Sequence, residues 1–249
     1  MASIVLIVFG WLSGCNFRLA GKDWGVVFLL SLLRAVTSFS LIIAYQNIAS
    51  GVASTIHFMY PLAVALAMMF FFREKKSLLV ILAVLMSLLG AALLSLGELE
   101  AKSGNTMVGL VAACVSVFSY AGYIVGVRTT RAVQINSTAL TCYVMGLGTI
   151  FYLIGAYCTS GLQLVSDGYT WLIILGLALP ATAISNITLV QAIKYAGPTL
   201  TSILGAMEPL TAVVIGVFVF KELFTVNSAV GIILILLAVS IVVFRRQKS

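Results

Sequence analysis

The sequence predicts an all-α integral membrane protein of about nine transmembrane helices, and three observations carry that prediction. Hydrophobic residues make up 62% of the 249 and charged residues only 8%; soluble domains run near a quarter charged and could not bury this much apolar surface. The apolar residues gather into eight segments of span length, a crossing needing about 20 residues for about 30 Å of hydrocarbon. Lys and Arg sit between these segments singly or in threes, so the net charge of +7 marks topology and not a nucleic-acid surface.

The opening stretch, Ala2 to Gly14 in MASIVLIVFGWLSGC, would reach only about 20 Å as a helix. No basic residue precedes Arg18, so it lacks the n-region of a signal peptide. The spans that follow are read as Trp24 to Tyr45, Val52 to Phe72, Leu78 to Leu96, Met107 to Val127, Ala139 to Tyr157, Tyr169 to Ile193, Thr199 to Phe220 and Val226 to Phe244. With Cys15 to Asp23 inside, the inner loops hold eleven basic residues: Arg18, Lys22, Arg73, Lys75, Lys76, Arg128, Arg131, Lys194, Arg245, Arg246 and Lys248. The outer loops hold Lys102 and Lys221, with Glu98, Glu100, Asp167 and Glu222. Basic residues stay on the cytoplasmic side, which puts the C-terminus there. A lipoprotein reading of Leu12-Ser13-Gly14-Cys15 would invert the count and is rejected. The opening stretch is therefore expected to be the end of a longer membrane helix entering from outside.

A shift of 148 residues lays ASTIHFMYPLAVALAMMFFFREKKS, from Ala53, on TSILGAMEPLTAVVIGVFVFKELFT, from Thr201, without a gap. Ser54 meets Ser202, Met59 meets Met207, Pro61-Leu62 meets Pro209-Leu210, and Arg73-Glu74 meets Lys221-Glu222. Two unrelated apolar runs would match Leu and Val, but not a proline and a charged pair at fixed distance. The first copy enters from outside and the second from inside, the inverted arrangement common in secondary transporters. Residues 1–96 and 107–245 are the expected repeats.

Those paired segments, each followed by an apolar helix (LLVILAVLMSLLGAALL and NSAVGIILILLAVSIVV), resemble the EamA-like branch of the drug/metabolite transporter superfamily over nearly the whole chain. The resemblance implies ten helices, cytoplasmic termini and a central cavity lined by helices one, three, four, six, eight and nine. On that count the chain shows helices two to ten and lacks helix one.

Ionisable groups deep in a membrane are costly and usually face a cavity or a partner. Arg34 lies about ten residues into its span, on a stripe with Ser31, Ser38 and Tyr45; Glu208 lies about nine into its own, on a stripe with Thr201, Gly205 and Ala212. Under the resemblance they belong to the family's third and ninth helices. They are expected to face the cavity, pairing with each other or binding the carboxylate and amino groups of a small zwitterion; the competing reading makes Glu208 a packing residue and Arg34 a snorkelling one. His57, one turn before Tyr60, is a proton-relay candidate beside Glu208, or a hydrogen-bonded packing residue. Ser116, Tyr120 and Tyr123 share one face and, with Tyr60 and Asn186, complete the substrate-binding candidates; tyrosines there also serve as packing. Pro61 and Pro209 sit at matching mid-helix positions, as hinges or as static kinks. Gly197-Pro198 reads as a helix stop and restart. Gly122 and Gly126, like Ala83, Ser87 and Ala91, read as close helix packing, with a homodimer as the lesser reading.

The four cysteines and single His give no metal or disulfide framework. No Walker motif is present, so direct ATP drive is excluded. An intramembrane enzyme would need paired carboxylates or a His cluster, and the chain offers neither. No cofactor is expected. The reading is a permease or exporter of the cytoplasmic membrane for a small organic metabolite such as an amino acid or drug-like solute, working by alternating access, with a small-molecule substrate and the lipid bilayer as partners and no nucleic acid. The alternative is a truncated, non-transporting or regulatory membrane protein.

Overall fold

A computed structural model describes residues 17, 19–73, 78–95, 104–159, 168–176, 182–205, 207–219 and 226–247. The opening stretch Ala2 to Gly14, Cys15, Arg18, Glu74 to Lys76, Glu98, Glu100, Lys102, Asp167, Lys221-Glu222 and Lys248 lie outside the described residues.

Every regular element among the described residues is helical, as the composition requires: without water, only intrasegment hydrogen bonds satisfy the backbone. In chain order the helices are α1 (Trp24–Asn47), α2 (Ser50–His57), α3 (Tyr60–Phe71), α4 (Leu78–Ser95), α5 (Thr106–Thr129), α6 (Ser137–Thr159), α7 (Gly168–Gly176), α8 (Ser185–Ala196), α9 (Pro198–Leu204), α10 (Met207–Val219) and α11 (Val226–Gln247). Among the described residues, four stretches are long and apolar enough to cross a membrane: Gly21–Asn47, Ser50–Phe71 taken through its interruption, Thr106–Thr129 and Ser137–Gly155. Shorter apolar stretches, Leu78–Gly90 and Ala229–Ile241, lie in α4 and α11.

Local chemistry sets the helix ends. Asn105 Oδ1 accepts from the N–H groups of Met107 (3.1 Å) and Val108 (3.3 Å) and caps α5. Asn136 Oδ1 accepts from Thr138 (2.9 Å) and caps α6, each using an otherwise orphaned donor. Gly197 ends α8 at φ 88°, where a Cβ would be strained, and Pro198 opens α9, its fixed φ suiting a first turn.

The spans read as Val52 to Phe72 and Thr199 to Phe220 are each interrupted near the proline; the first remains one stretch of crossing length, with right-handed helical backbone at Met59. Each is two helices: α2 and α3, then α9 and α10. Pro61 is the second residue of α3 and Pro209 the third of α10. A proline inside a helix removes the N–H that would reach residue i−4 and clashes with its carbonyl; in a first turn it costs nothing of the kind. The chain therefore stops and restarts before each proline. At the second interruption the Glu208 N–H donates to the Gly205 carbonyl at 3.0 Å, taking the acceptor that Pro209 cannot serve.

The chain forms two compact units, residues 1–35 with 126–197, and residues 36–125 with 198–249. In the first unit Trp24 packs edge-on to Tyr143 (5.5 Å between ring centres) and Phe28 to Phe151 (5.7 Å). The Tyr143 hydroxyl donates to the Phe17 carbonyl at 2.7 Å, and Cys142, Ala183 and Ile187 form a small core. A Cβ at Gly126 would come 2.8 Å from Leu30 Cδ2, so this glycine lets α5 approach α1. In the second unit Ala65, Ala83, Val84, Ile203 and Ala238 form a core from α3, α4, α9 and α11. Along it α4 and α11 pack most extensively. Gly90 lets the two backbones approach, since a Cβ there would come 2.7 Å from the Gly231 carbonyl oxygen. Ala44, Ile48, Ala53, Ala112 and Ala113 make a second core from the end of α1, α2 and α5.

Candidate functional site

In the first unit, Arg34 and Asn186 meet. The Arg34 guanidinium donates from Nη2 to Asn186 Oδ1 at 3.1 Å, and Asn186, buried at 7% exposure, returns its Nδ2 to the Thr182 carbonyl at 2.7 Å. With its amide anchored on α8, Asn186 fixes where the guanidinium sits. A hydrogen bond to a charged donor is worth roughly 1.5–3 kcal/mol, more than most neutral pairs. The arrangement presents a guanidinium whose place Asn186 helps to fix.

Further along the same unit, Lys194 is buried and donates from Nζ to the Ile135 carbonyl, while its own carbonyl accepts from Arg128 Nη1 at 2.6 Å. This clasp ties the Arg131–Gln134 turn to the end of α8. Gln191, in the same sequence run, is exposed.

In the second unit, the candidates on α2, α3 and α5 come together as a ring cluster. Tyr60 and Tyr120 are edge-on at 4.7 Å, His57 lies 5.5 Å from Tyr60 and 5.4 Å from Tyr120, and Tyr120 stacks parallel to Tyr123 at 6.3 Å. His57 and Tyr60 are three residues apart, a spacing that sets side chains next to each other along a helical turn. Ser116 fixes the imidazole. Its hydroxyl donates to the Ala113 carbonyl at 2.6 Å, so toward His57 Nδ1, 3.0 Å away, it accepts. With the hydroxyl proton on the Ala113 carbonyl, the arrangement suits a neutral ring protonated at Nδ1 and basic at Nε2. Ser119, whose hydroxyl lies 2.8 Å from the Val115 carbonyl, shares a hydrogen bond with the Thr37 hydroxyl at 2.9 Å.

Glu208 sits in the first turn of α10 with an exposed side chain. A helix N-terminus favours a carboxylate by about 0.3–1 kcal/mol, which offsets part of the roughly 2.5–3.5 kcal/mol such a group costs at mid-depth. Ser38, a turn beyond Arg34 on α1, is half-buried. On the Glu208 stripe, Thr201 Oγ1 is buried with no hydrogen-bond partner among the described residues.

Sequence reasoning named the ring residues, Arg34, Asn186 and Glu208, but missed three things: the helix interruptions, the Lys194 clasp and the contact of Gly205 with Tyr60. The signal for the first was present in the two prolines at a fixed offset. The other two join residues far apart in sequence and left no local trace.

An all-helical chain with apolar spans, two of them interrupted beside a proline, defines a multi-pass membrane protein of the kind that carries solutes. The model of the EamA-like transporter family matches residues 1–96 and 107–244, and the chain belongs to that family. An uncharacterized transporter of Archaeoglobus fulgidus is 28% identical over 238 residues, which cover 94% of this chain and 83% of the relative. A solved crystal structure at 18% identity superposes with a TM-score of 0.83 over 100% of this chain and 86% of its own, a likeness of fold. The protein is a membrane transporter embedded in the bilayer, with a small molecule as its substrate.

Proposed function

We propose that this chain is a secondary carrier that moves a small organic metabolite, of the amino-acid or drug-like class, across the cytoplasmic membrane by alternating access. The observation that supports it best is the pair of interrupted spans. They begin at Ser50 and Pro198, positions that correspond in the 148-residue alignment, and each breaks just before its proline. Discontinuous helices at corresponding places of two inverted repeats are a recurrent way to build a midplane substrate site. Residues 1–96 and 107–245 are the repeats in this reading, and the C-terminus is cytoplasmic.

Arg34, held by Asn186, is the group for an anionic part of the substrate. Tyr60, Tyr120, Tyr123 and Ser116 offer rings and a hydroxyl to its body, with Ser38 as a further polar contact. Glu208 takes a cationic group or a proton, and His57, with Nε2 as its basic nitrogen, is the second proton-coupling candidate. Pro61 and Pro209 mark the hinges. No catalytic step, cofactor, metal or nucleic acid enters the reading, and a homodimer through small-residue helix faces is its lesser extension.

Metabolite profiling of cells and medium with and without the gene, followed by exchange of the responding labelled solute in proteoliposomes, tests the proposal. Gene-dependent redistribution of a solute, reproduced by the purified chain, is the expected result. No redistribution and no exchange across a panel of labelled amino acids would instead favour a non-transporting membrane protein.

A further inference from the structure

Where the two interrupted spans pack together, Tyr60 meets Gly205. Tyr60, the first residue of α3, is 4% exposed, and its hydroxyl lies against Gly205, the residue that follows α9. A Cβ built on Gly205 would overlap that hydroxyl and would come 3.1 Å from the ring carbon bearing it. Gly205 does not hold the left-handed φ that would by itself call for glycine. Its missing side chain is explained by the space Tyr60 fills. Neighbouring groups hang on this contact. The Tyr60 ring bears on Tyr120 and His57, and the Gly205 carbonyl accepts the Glu208 N–H. Displacement of Tyr60 from Gly205 would therefore disturb the ring cluster on one side and the turn carrying Glu208 on the other.

We propose that Gly205 is a positioning residue of the carrier: it forms a seat for the Tyr60 hydroxyl that holds the two interruptions closed against each other, and this seat empties and refills in each transport cycle. The inference rests on the carrier reading above.

Gly205→Ala puts a methyl where the hydroxyl sits. It is expected to lower the maximal rate of labelled-solute exchange about tenfold, with the half-saturation concentration and membrane abundance unchanged. Adding Tyr60→Phe removes the overlapping oxygen and is expected to restore about half or more of the rate of Tyr60→Phe alone, a coupling that independent sites would not show. A wild-type rate in Gly205→Ala, or a defect that Tyr60→Phe does not relieve, overturns the seat. Should Gly205→Ala fail to accumulate in membranes, the chain carrying Tyr60→Cys and Gly205→Cys puts the same question. Bridging the two thiols with a short cleavable reagent is expected to stop exchange and cleavage to restore it, with the single-cysteine chains controlling for native cysteines. Exchange that continues in the bridged protein overturns the proposal. A wild-type chain that exchanges no solute sinks the carrier reading instead. Maleimide labelling of Tyr60→Cys then still reports the seat: slow labelling is expected with wild-type-like abundance, and labelling as fast as that of a cysteine placed at exposed Met59 overturns it.

Discussion

His57 shows how much one hydrogen bond can determine. With the Ser116 proton on a backbone carbonyl, the hydroxyl accepts from the imidazole, which favours the Nδ1–H tautomer. Ser116→Ala would free Nδ1 and let the ring turn, so proton-coupled transport is expected to fall about tenfold while fold and abundance hold; flux against pH in proteoliposomes reads this, and an unchanged profile would remove His57 from the proton path. The Arg34–Asn186 pair behaves differently, since removing either member takes a charge-assisted hydrogen bond from the other. Asn186→Leu is expected to lower stability by roughly 1–3 kcal/mol, seen as an earlier thermal midpoint in detergent. Thr201 is the opposite case. Its buried hydroxyl lacks a partner among the described residues, so Thr201→Val should leave the midpoint unchanged or raise it. A clear fall would reveal an unseen partner such as a bound water. The residues were legible because charge and hydroxyls stand out in an apolar background. Their partners were not: Arg34 and Asn186 are 152 residues apart, and no periodicity joins two separate helices.

At the scale of the helix, an apolar run of span length looks the same whether or not it is interrupted, because burial demands hydrophobicity of each piece alike. That is why Val52 to Phe72 and Thr199 to Phe220 read as single spans. The prolines gave the place of disturbance but not its form, since a kink and a restart place the same residue against different turns. Pro61→Ala and Pro209→Ala remove the reason for the interruption. Each is expected to stabilise a continuous helix, slow transport and leave membrane abundance intact; rates equal to wild type in both would show that the prolines only shape the bundle. The α4 stripe was read as Ala83, Ser87 and Ala91 in close packing; Ala83 and Ser87 are buried, and Gly90 on the same helix lies against Gly231. Gly90→Val should cost about 1–3 kcal/mol by overpacking, measured as loss of thermal stability in detergent.

For the molecule as a whole, hydropathy sufficed for the class, because the bilayer imposes helices on apolar spans. The gap-free alignment of two segments supplied the family resemblance before any coordinates. Which residues gather around His57, and which unit each helix joins, depend on packing between segments that share no sequence neighbourhood. The division into residues 1–35 with 126–197 and 36–125 with 198–249 mixes parts of both sequence halves and could not be read from either. Orientation has its own test: a reporter fused after Ser249 should be active in the cytoplasmic form and silent in the periplasmic form.

The central claim is carriage of a small organic solute with Glu208 in the path, and counterflow in proteoliposomes addresses it most directly. Vesicles loaded with unlabelled solute and holding the wild-type chain should accumulate the labelled solute transiently. Those with Glu208→Gln at equal abundance should do so about tenfold more slowly or not at all. Equal counterflow in the two would contradict the account.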